Sequence, residues 1–223
     1  MRRPTVLSRL SIPLVAGLCG AVIFLVLFGL LADEMREGDT RQFDDAVRLF
    51  VHAHSSIELT SVMRFLSVVG SPLVVTLTSL VACIVLWLVG HPRRAILIAV
   101  TAGGGSLLMG VLKIGFHRQR PEPFFDMRLP ASYSFPSGHA MLSFCLCLSA
   151  AALFAASRKN VWVRIAIWVF WVSLSGAIGY SRIYLGVHYP SDVVAGYLAA
   201  LVWSLAVGSA YQKWRKTPDL PVA

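Results

Sequence analysis

Charged residues are scarce in this sequence: they make up 14% of its 223 positions, whereas a soluble globular protein carries about a quarter. Hydrophobic residues make up 57% and are gathered into long runs. This balance excludes an ordinary soluble domain and predicts an integral membrane protein. Lys and Arg outnumber Asp and Glu by 20 to 11, but the basic residues lie between the apolar runs rather than along a soluble face. We therefore expect no nucleic-acid partner.

Cysteine is also scarce, and its placement argues against a metal or redox site. All four cysteines lie inside apolar runs, at Cys19, Cys83, Cys145 and Cys147. Cys145 and Cys147 lack the Cys-x-x-Cys spacing and have no histidine or acidic residue in their run. We expect these side chains to pack between helices, and we expect neither a metal ion nor another cofactor.

Six apolar runs have about the length with which a helix crosses a bilayer, roughly 20 residues. They cover residues 12–32, 72–89, 95–116, 140–156, 165–180 (preceded by the short stretch 161–163) and 193–211. The first run follows three arginines, as a signal peptide would, but its apolar core is too long and no cleavage pattern precedes Asp33. We expect an uncleaved anchor. The predicted fold is all-α, a bundle of six transmembrane helices that forms one domain over residues 1–223.

The connector between the first two runs, residues 33–70, has mixed character. Phe43, Val47, Phe50 and Val51 recur at helical spacing, and Asp39 stands where a capping residue would stand. This pattern predicts a short amphipathic helix at the outer membrane interface. Such a helix could act as a lid or lipid guide, or it could simply be a packed connector.

Basic residues mark the cytoplasmic ends of transmembrane helices. With alternating spans and both termini inside, the cytoplasmic cations are Arg2, Arg3, Arg9, Arg93, Arg94, Arg158, Lys159, Arg164, Lys213, Arg215 and Lys216. Nearly every acidic residue falls on the opposite side, and only Asp219 is cytoplasmic. The outer side also keeps cations, but three of them belong to the motifs described next. This distribution predicts cytoplasmic termini and a site that faces the periplasm or the cell exterior.

Three stretches at the ends of runs three to six carry residue types that handle phosphate. They read Lys113-x6-Arg120-Pro121, Pro136-Ser137-Gly138-His139 and Ser181-Arg182-x5-His188-x3-Asp192. Ionisable side chains at the edge of lipid are costly, so function is the default explanation for them. The proline-rich segment 117–137 is predicted to be a loop outside the membrane, and loops of this length are often functional.

The cations of these motifs suit a tetrahedral anion, because the planar fork of arginine binds phosphate oxygens in pairs. Lys113 and Arg120 are seven residues apart, which predicts one shared face if the helix continues. Arg182 would reach them from another span. Arg118 lies in the same stretch but matches neither motif partner, and we expect it to be a snorkelling anchor at the membrane edge.

The remaining motif residues supply donors and acid–base groups. Ser137 and Gly138 precede an apolar run, where a helix start exposes backbone N–H groups to an anion. Asp192 lies four residues after His188, so its carboxylate can hold one imidazole nitrogen and leave the other for attack on phosphorus. His139 can then protonate the leaving oxygen.

The three motifs resemble those of the type 2 phosphatidic acid phosphatase (PAP2) family, and every position of the family pattern is matched between Lys113 and Asp192. The resemblance implies six spans and a metal-independent phosphohydrolase. It implies that His188 is the nucleophile that forms a phosphohistidine, that Asp192 orients it, and that His139 is the acid and later activates water. The groups that would hold the phosphoryl group are Lys113, Arg120, Ser137, Gly138 and Arg182.

The resemblance leaves the substrate open, because the family includes undecaprenyl pyrophosphate, phosphatidylglycerophosphate, lipid A and phosphatidic acid phosphatases. We expect a membrane lipid phosphate as substrate and a bacterial inner membrane as location. The vanadium haloperoxidases share such a site but are soluble, which six apolar runs contradict. A non-catalytic lipid-binding or transport protein would have lost a catalytic histidine, and both His139 and His188 are present.

Overall fold

The structure is a computed structural model that describes residues 12–125, 127 and 129–215. Its helices in chain order are α1 Ile12–Glu37, α2 Thr40–Ala53, α3 Ile57–Val69, α4 Pro72–Leu88, α5 Pro92–Phe116, α6 Gly138–Ala156, α7 Val161–Tyr184 and α8 Pro190–Arg215. The described ranges contain no strand, which confirms the predicted all-α class.

Five helices, α1 and α5 to α8, are each long and apolar enough to cross a membrane. Helices α3 and α4 meet these criteria only together, are inclined by 49° at the break between them, and make a sixth candidate span when the bent pair is counted as one. The sequence predicted this span from Pro72 and missed α3. Ser71 and Pro72 explain the break: the Ser71 side chain accepts a hydrogen bond from the Val74 amide, and the proline occupies the first turn of α4.

The helices enclose α6, which packs against α5, α7 and α8, while α1 lies along α8. Apolar side chains of α1, α6 and α8 form the core around Phe28, Met141 and Ala195. Gly196 allows α8 to approach the start of α6 closely, because a Cβ atom there would lie 2.8 Å from the Ser137 carbonyl oxygen. This close packing brings the beginnings of α6 and α8 together.

The predicted amphipathic helix of the connector is confirmed as α2, but its buried face carries two charged residues beside an apolar one. Asp44 and Arg48 are buried together with Val51, whereas Phe43 and Phe50 are 61% and 67% exposed. Asp39 stands at the predicted cap position, yet its side chain makes no capping hydrogen bond. The helix contacts α7 and α8, so it carries a carboxylate and a guanidinium into the bundle and turns aromatic side chains outward.

The helix α5 ends at Phe116, as the third apolar run does, so Lys113 and Arg120 do not share one helical face. His117 adopts a left-handed conformation with φ of 51° and closes the helix by donating its amide to the Lys113 carbonyl. A left-handed residue reverses the direction of the chain. The described part of segment 117–137 is non-helical, as predicted, and it folds back over the ends of the spans.

Candidate active site

The ends of α5 and α7 and the beginnings of α6 and α8 meet at one end of the bundle. All eight site residues predicted from the sequence lie there. His188 is central to them: its electrostatic neighbours include Asp192, Arg120 and Arg182. Lys113 in turn lies within electrostatic reach of Arg120 and Asp192. The motifs, which span 80 positions of the chain, therefore form one cluster.

His188 lies in a tight connection between α7 and α8. Gly186 makes this connection possible, because its φ is +75° and a Cβ atom there would lie 2.8 Å from the Phe124 amide nitrogen. The imidazole is 1% exposed. Its Nδ1 lies 3.2 Å from Asp192 Oδ2, and its Nε2 lies 3.0 Å from Arg120 Nη1.

Asp192 is fully buried in the first turn of α8, and both of its carboxylate oxygens are hydrogen-bonded. Oδ2 accepts from the Tyr189 amide at 3.0 Å and from Ser134 Oγ at 2.5 Å, in addition to His188. Oδ1 accepts from Arg118 Nη1 at 2.7 Å. A carboxylate held in this way cannot rotate freely, so it fixes the orientation of the imidazole.

Burial lowers the pKa of His188 to about 3, although Asp192 acts in the opposite direction. The guanidinium groups of Arg120 and Arg182 lower it further. His188 is therefore neutral near pH 7. Because a carboxylate can only accept, the Nδ1–H donates to Asp192, and the lone pair of Nε2 points toward Arg120.

Three cations from three elements, Lys113, Arg120 and Arg182, lie in the cluster around His188. Lys113 donates to the carbonyl oxygens of Tyr133 and Ser134. Arg120 donates to the carbonyls of Ser132 and Val187 at 2.8 Å and 3.0 Å. Burial lowers the pKa of Arg120, and Asp192 opposes that change, but a guanidinium remains protonated at neutral pH.

Arg182 is 4% exposed and has an incomplete set of partners. Its Nη1 donates to Ser67 Oγ of α3. Its Nε is buried, and no acceptor for it exists among the described residues. A buried donor without a partner is costly, so this nitrogen suits an anion that binds in the cluster.

Ser137, Gly138 and His139 form the start of α6. The Ser137 side chain caps the helix by accepting from the Ala140 amide at 3.5 Å, and its own amide donates to the Asp192 carbonyl at 2.9 Å. A Cβ atom at Gly138 would lie 2.6 Å from Met109 Sδ, so glycine lets the helix start against α5. His139 is half-buried within electrostatic reach of Arg182 and His188.

The expectation that Arg118 would be a snorkelling anchor is wrong. Its side chain is 13% exposed and forms ion pairs with Asp44 and Asp192, each at 2.7 Å. Burial would lower the pKa of Arg118, but Asp192 and Asp44 together raise it above the ordinary value. Ser134 was not among the predicted site residues, yet its hydroxyl donates to Asp192 and lies 3.3 Å from His188 Nδ1. A signal for both residues was their position in the long polar loop, where Arg118 lies inside the first motif and Ser134 just before the second.

The residues that could hold a metal ion are dispersed. Among the residues that the structure describes, no group of three His, Cys, Asp or Glu side chains is arranged for a metal. All four cysteines are free, and Cys145 and Cys147 are buried between helices, as expected from the sequence. The expectation that the protein needs no cofactor stays a prediction.

Comparison with known proteins places these features in a family. Residues 94–216 match the sequence profile of the PAP2 superfamily. An undecaprenyl-diphosphatase of Sulfolobus acidocaldarius is 42% identical over 69 residues, which are 31% of this chain and 29% of that protein. Phosphatidylglycerophosphatase B of Bacillus subtilis is 31% identical over 121 residues, or 51% of this chain and 56% of that one. The chain thus covers less than two thirds of either relative.

A solved structure extends the likeness to the whole bundle. The crystal structure of a transmembrane PAP2 type phosphatidylglycerolphosphate phosphatase from Bacillus subtilis superposes with a TM-score of 0.81. The match covers 89% of this chain and 99% of that chain, at 23% identity. The fold is therefore that of a PAP2-type integral membrane protein. The family match over residues 94–216 adds that the chain belongs to the PAP2 superfamily.

Proposed function

We propose that the protein is a lipid phosphate phosphatase that transfers a phosphoryl group first to His188 and then to water. One observation carries this proposal. The Nδ1 of His188 is tied to a buried carboxylate, and its Nε2 carries a lone pair that faces a cluster of cations. This is the arrangement of an oriented nucleophile beside an anion site.

In the first step, His188 Nε2 attacks phosphorus and the bond between phosphorus and the leaving oxygen breaks. His139 gives its proton to that oxygen, which leaves as the lipid alcohol from a monoester or as the lipid monophosphate from a diphosphate. Asp192 stabilises the imidazole as it gains positive charge. The product of this step is a phosphohistidine at His188.

In the second step, a water molecule attacks the phosphohistidine. His139, now without its proton, accepts one from that water, and the bond between phosphorus and Nε2 breaks. Inorganic phosphate leaves, and both histidines return to their starting states. The same side chain thus acts as acid and then as base, as microscopic reversibility requires.

The phosphoryl oxygens would be held by Lys113, Arg120 and Arg182 together with the start of α6. The unpaired Nε of Arg182 would gain an acceptor, and Arg120 would exchange its contact with His188 for one with phosphate. Ser137 and Gly138 would contribute donors at the helix end. Fixed cations of this kind account for most of the catalysis in phosphoryl transfer.

The substrate would be a phosphate carried by a membrane lipid, because the cluster lies at the ends of four membrane-spanning helices. The relatives named above are described as acting on undecaprenyl diphosphate and on phosphatidylglycerophosphate. We propose these lipids and phosphatidic acid as candidates. We also propose that the protein lies in a bacterial inner membrane with cytoplasmic termini and that its site faces outward.

The test is phosphate release by the purified protein from undecaprenyl diphosphate, phosphatidylglycerophosphate and phosphatidic acid in detergent micelles. We expect turnover of at least one lipid in the presence of EDTA. Vanadate should inhibit by occupying the phosphate site. The matched control is His54→Asn, which changes the exposed histidine just after the end of α2 and should leave turnover unchanged. A strict requirement for added magnesium, or no release from any of the lipids, would contradict the proposal.

The orientation has its own test, which uses a background without the four native cysteines. In intact cells, a membrane-impermeant thiol reagent should label Pro130→Cys, in the loop beside the site. It should not label Asn160→Cys, which lies at the other end of the bundle between α6 and α7. The reverse labelling pattern would place the site on the cytoplasmic side.

A further inference from the structure

Arg118 stands at a position that the Lys113-x6-Arg120 motif leaves unspecified, yet its guanidinium uses both edges of its fork. Nη1 donates to Asp192 Oδ1 and to Ser191 Oγ, both at 2.7 Å. Nη2 donates to Asp44 Oδ2 at 2.7 Å. The flat face lies over the Tyr189 ring, 4.1 Å from its centroid. Contacts on two edges and one face hold the group in a single orientation.

Asp44 comes from α2, 148 positions before Asp192, and it is fully buried. Besides Arg118, it accepts from the Ser191 amide at 2.9 Å and from Ser191 Oγ at 2.6 Å. Asp44 therefore binds both Arg118 and Ser191, the residue that precedes Asp192. Burying an ion pair gains little stability compared with apolar residues of the same shape. A role in the site therefore accounts for the buried pair of Arg118 and Asp44 better than a gain in stability does.

Arg118 holds Asp192 at a different carboxylate oxygen from the other donors. The carboxylate oxygen Oδ2 has three donors, whereas Arg118 is the one donor to Oδ1 among the described residues. With both oxygens engaged, the plane of the carboxylate is set, and so is the direction in which it holds His188 Nδ1. Loss of Arg118 would leave one buried oxygen of Asp192 without a partner.

We propose that Arg118 is a positioning residue for the pair of His188 and Asp192, and that Asp44 on α2 holds Arg118 in place. This inference rests on the proposed function of that pair. It extends the site beyond the three motifs to a helix near the start of the chain. It also means that α2 supplies a part of the site, in addition to connecting two spans.

The charge of Arg118 should affect how the activity depends on pH, because it influences the protonation of His188. The other titratable groups around the pair are Lys113 from α5, Arg120 from the 117–137 loop, His139 from α6, Arg182 from α7, and Tyr189 and Asp44 beside Arg118. Without the cation at 118, the negative charge of Asp192 acts on His188 with less compensation. His188 would then bind a proton at higher pH and lose its nucleophilic lone pair there.

The test compares Arg118→Gln with Arg118→Lys on the candidate lipid that the wild type hydrolyses fastest. We expect Arg118→Gln to lower kcat about thirtyfold to a hundredfold with KM nearly unchanged, since the residue orients the nucleophile and does not bind substrate. The acid limb of kcat/KM should move up by about one pH unit. Arg118→Lys restores the positive charge but not the planar guanidinium. The acid limb of kcat/KM should therefore return to its wild-type position, while kcat should recover only in part.

A matched control and a double-mutant cycle separate positioning from general damage. Arg41→Gln removes the same charge from an exposed position of α2 and should leave kcat and the pH profile unchanged. In the Asp192→Asn background, Arg118→Gln should cost only a few-fold, because both changes act through the same carboxylate. Asp44→Asn, nearly isosteric, should lower kcat about tenfold and provides the test if Arg118→Gln does not fold.

Three results would overturn the inference while the wild type is active: an unchanged kcat in Arg118→Gln, an unmoved acid limb, or effects of Arg118→Gln and Asp192→Asn that multiply fully. If Arg118→Gln does not fold, an unchanged kcat in Asp44→Asn overturns it. An inactive wild type would instead contradict the proposed function. Elution volume in size exclusion and the thermal unfolding midpoint report whether each variant is folded.

Discussion

Buried polar groups behave differently in the middle of the spans and at the site end of the bundle. In the middle, Ser79 and Thr101 donate to the carbonyl four residues earlier in their own helix, each at 2.8 Å. At the site end, Ser134 donates to Asp192 and Arg118 donates to Asp44, and these partners lie on other elements. Ser79 and Thr101 thus bond within their own helices, whereas Ser134 and Arg118 join distant parts of the chain.

This difference has an energetic consequence. A hydroxyl that bonds to its own helix leaves no unpaired group behind when it is removed, because the carbonyl keeps its backbone partner. A side chain that joins distant elements leaves a buried charge or donor unpaired when it is removed. Substitutions of the same size should therefore have larger effects at the site end than in the middle of the spans.

The largest effect should come from the nucleophile. His188→Ala should lower phosphate release by more than about a thousandfold, because no other side chain in the cluster is positioned to attack phosphorus. Asp192→Asn should be milder, about a hundredfold, since orientation is lost while the nucleophile remains. Release by His188→Ala within tenfold of the wild type would contradict the assignment.

The next largest effect should come from the cation with the unpaired nitrogen. Arg182→Lys keeps the charge but loses the planar fork, so kcat/KM should fall about a hundredfold. The measurement is steady-state phosphate release together with the vanadate concentration that inhibits by half. That concentration should rise in the variant, and an unchanged value would remove Arg182 from the phosphate site.

A smaller effect should appear in the free energy of unfolding, which should depend on pH through His188. The pKa of His188 is about 3 in the folded protein and about 6.5 when the chain is unfolded, so the unfolded state takes up the proton first. The stability that the fold gains by keeping this imidazole neutral is fully present above pH 6.5 and is lost as the pH falls toward 3. At pH 5 the loss should be about 2 kcal/mol.

Thermal unfolding in detergent, followed by tryptophan fluorescence, measures this loss. The midpoint of the wild type should fall more steeply between pH 7 and pH 5 than that of His188→Asn, which lacks the titrating group. Equal slopes in the two proteins would show that His188 is not held neutral by the fold.

The smallest effect on turnover should come from Ser134, with Ser79, another buried serine, as the comparison. Ser134→Ala should lower turnover about tenfold, because Asp192 loses one of its donors. Ser79→Ala removes the same oxygen from the middle of α4 and should change turnover less than twofold and stability by less than about 1 kcal/mol. Similar losses in both variants would remove the distinction between the two regions.

Hydropathy predicted most of the helices, because crossing a bilayer requires about 20 apolar residues and that requirement is visible in a linear sequence. It missed α3, whose thirteen residues meet the criteria for a span only together with α4, across a bend. It placed the end of α5 correctly at Phe116. It did not reveal that His117 closes this helix in the left-handed conformation, which is uncommon for any residue other than glycine.

The motif residues and their chemistry were determined by the sequence itself, since phosphate requires cations and a histidine nucleophile requires an orienting carboxylate at short range. Only the tertiary structure decided that Arg118 and Asp44 belong to the same cluster. Their contact joins positions 74 residues apart, and the two side chains pair because the fold removes both from water. A lone arginine and a lone aspartate in a polar stretch carry no sign of that pairing, because it arises from burial and is absent in the extended chain.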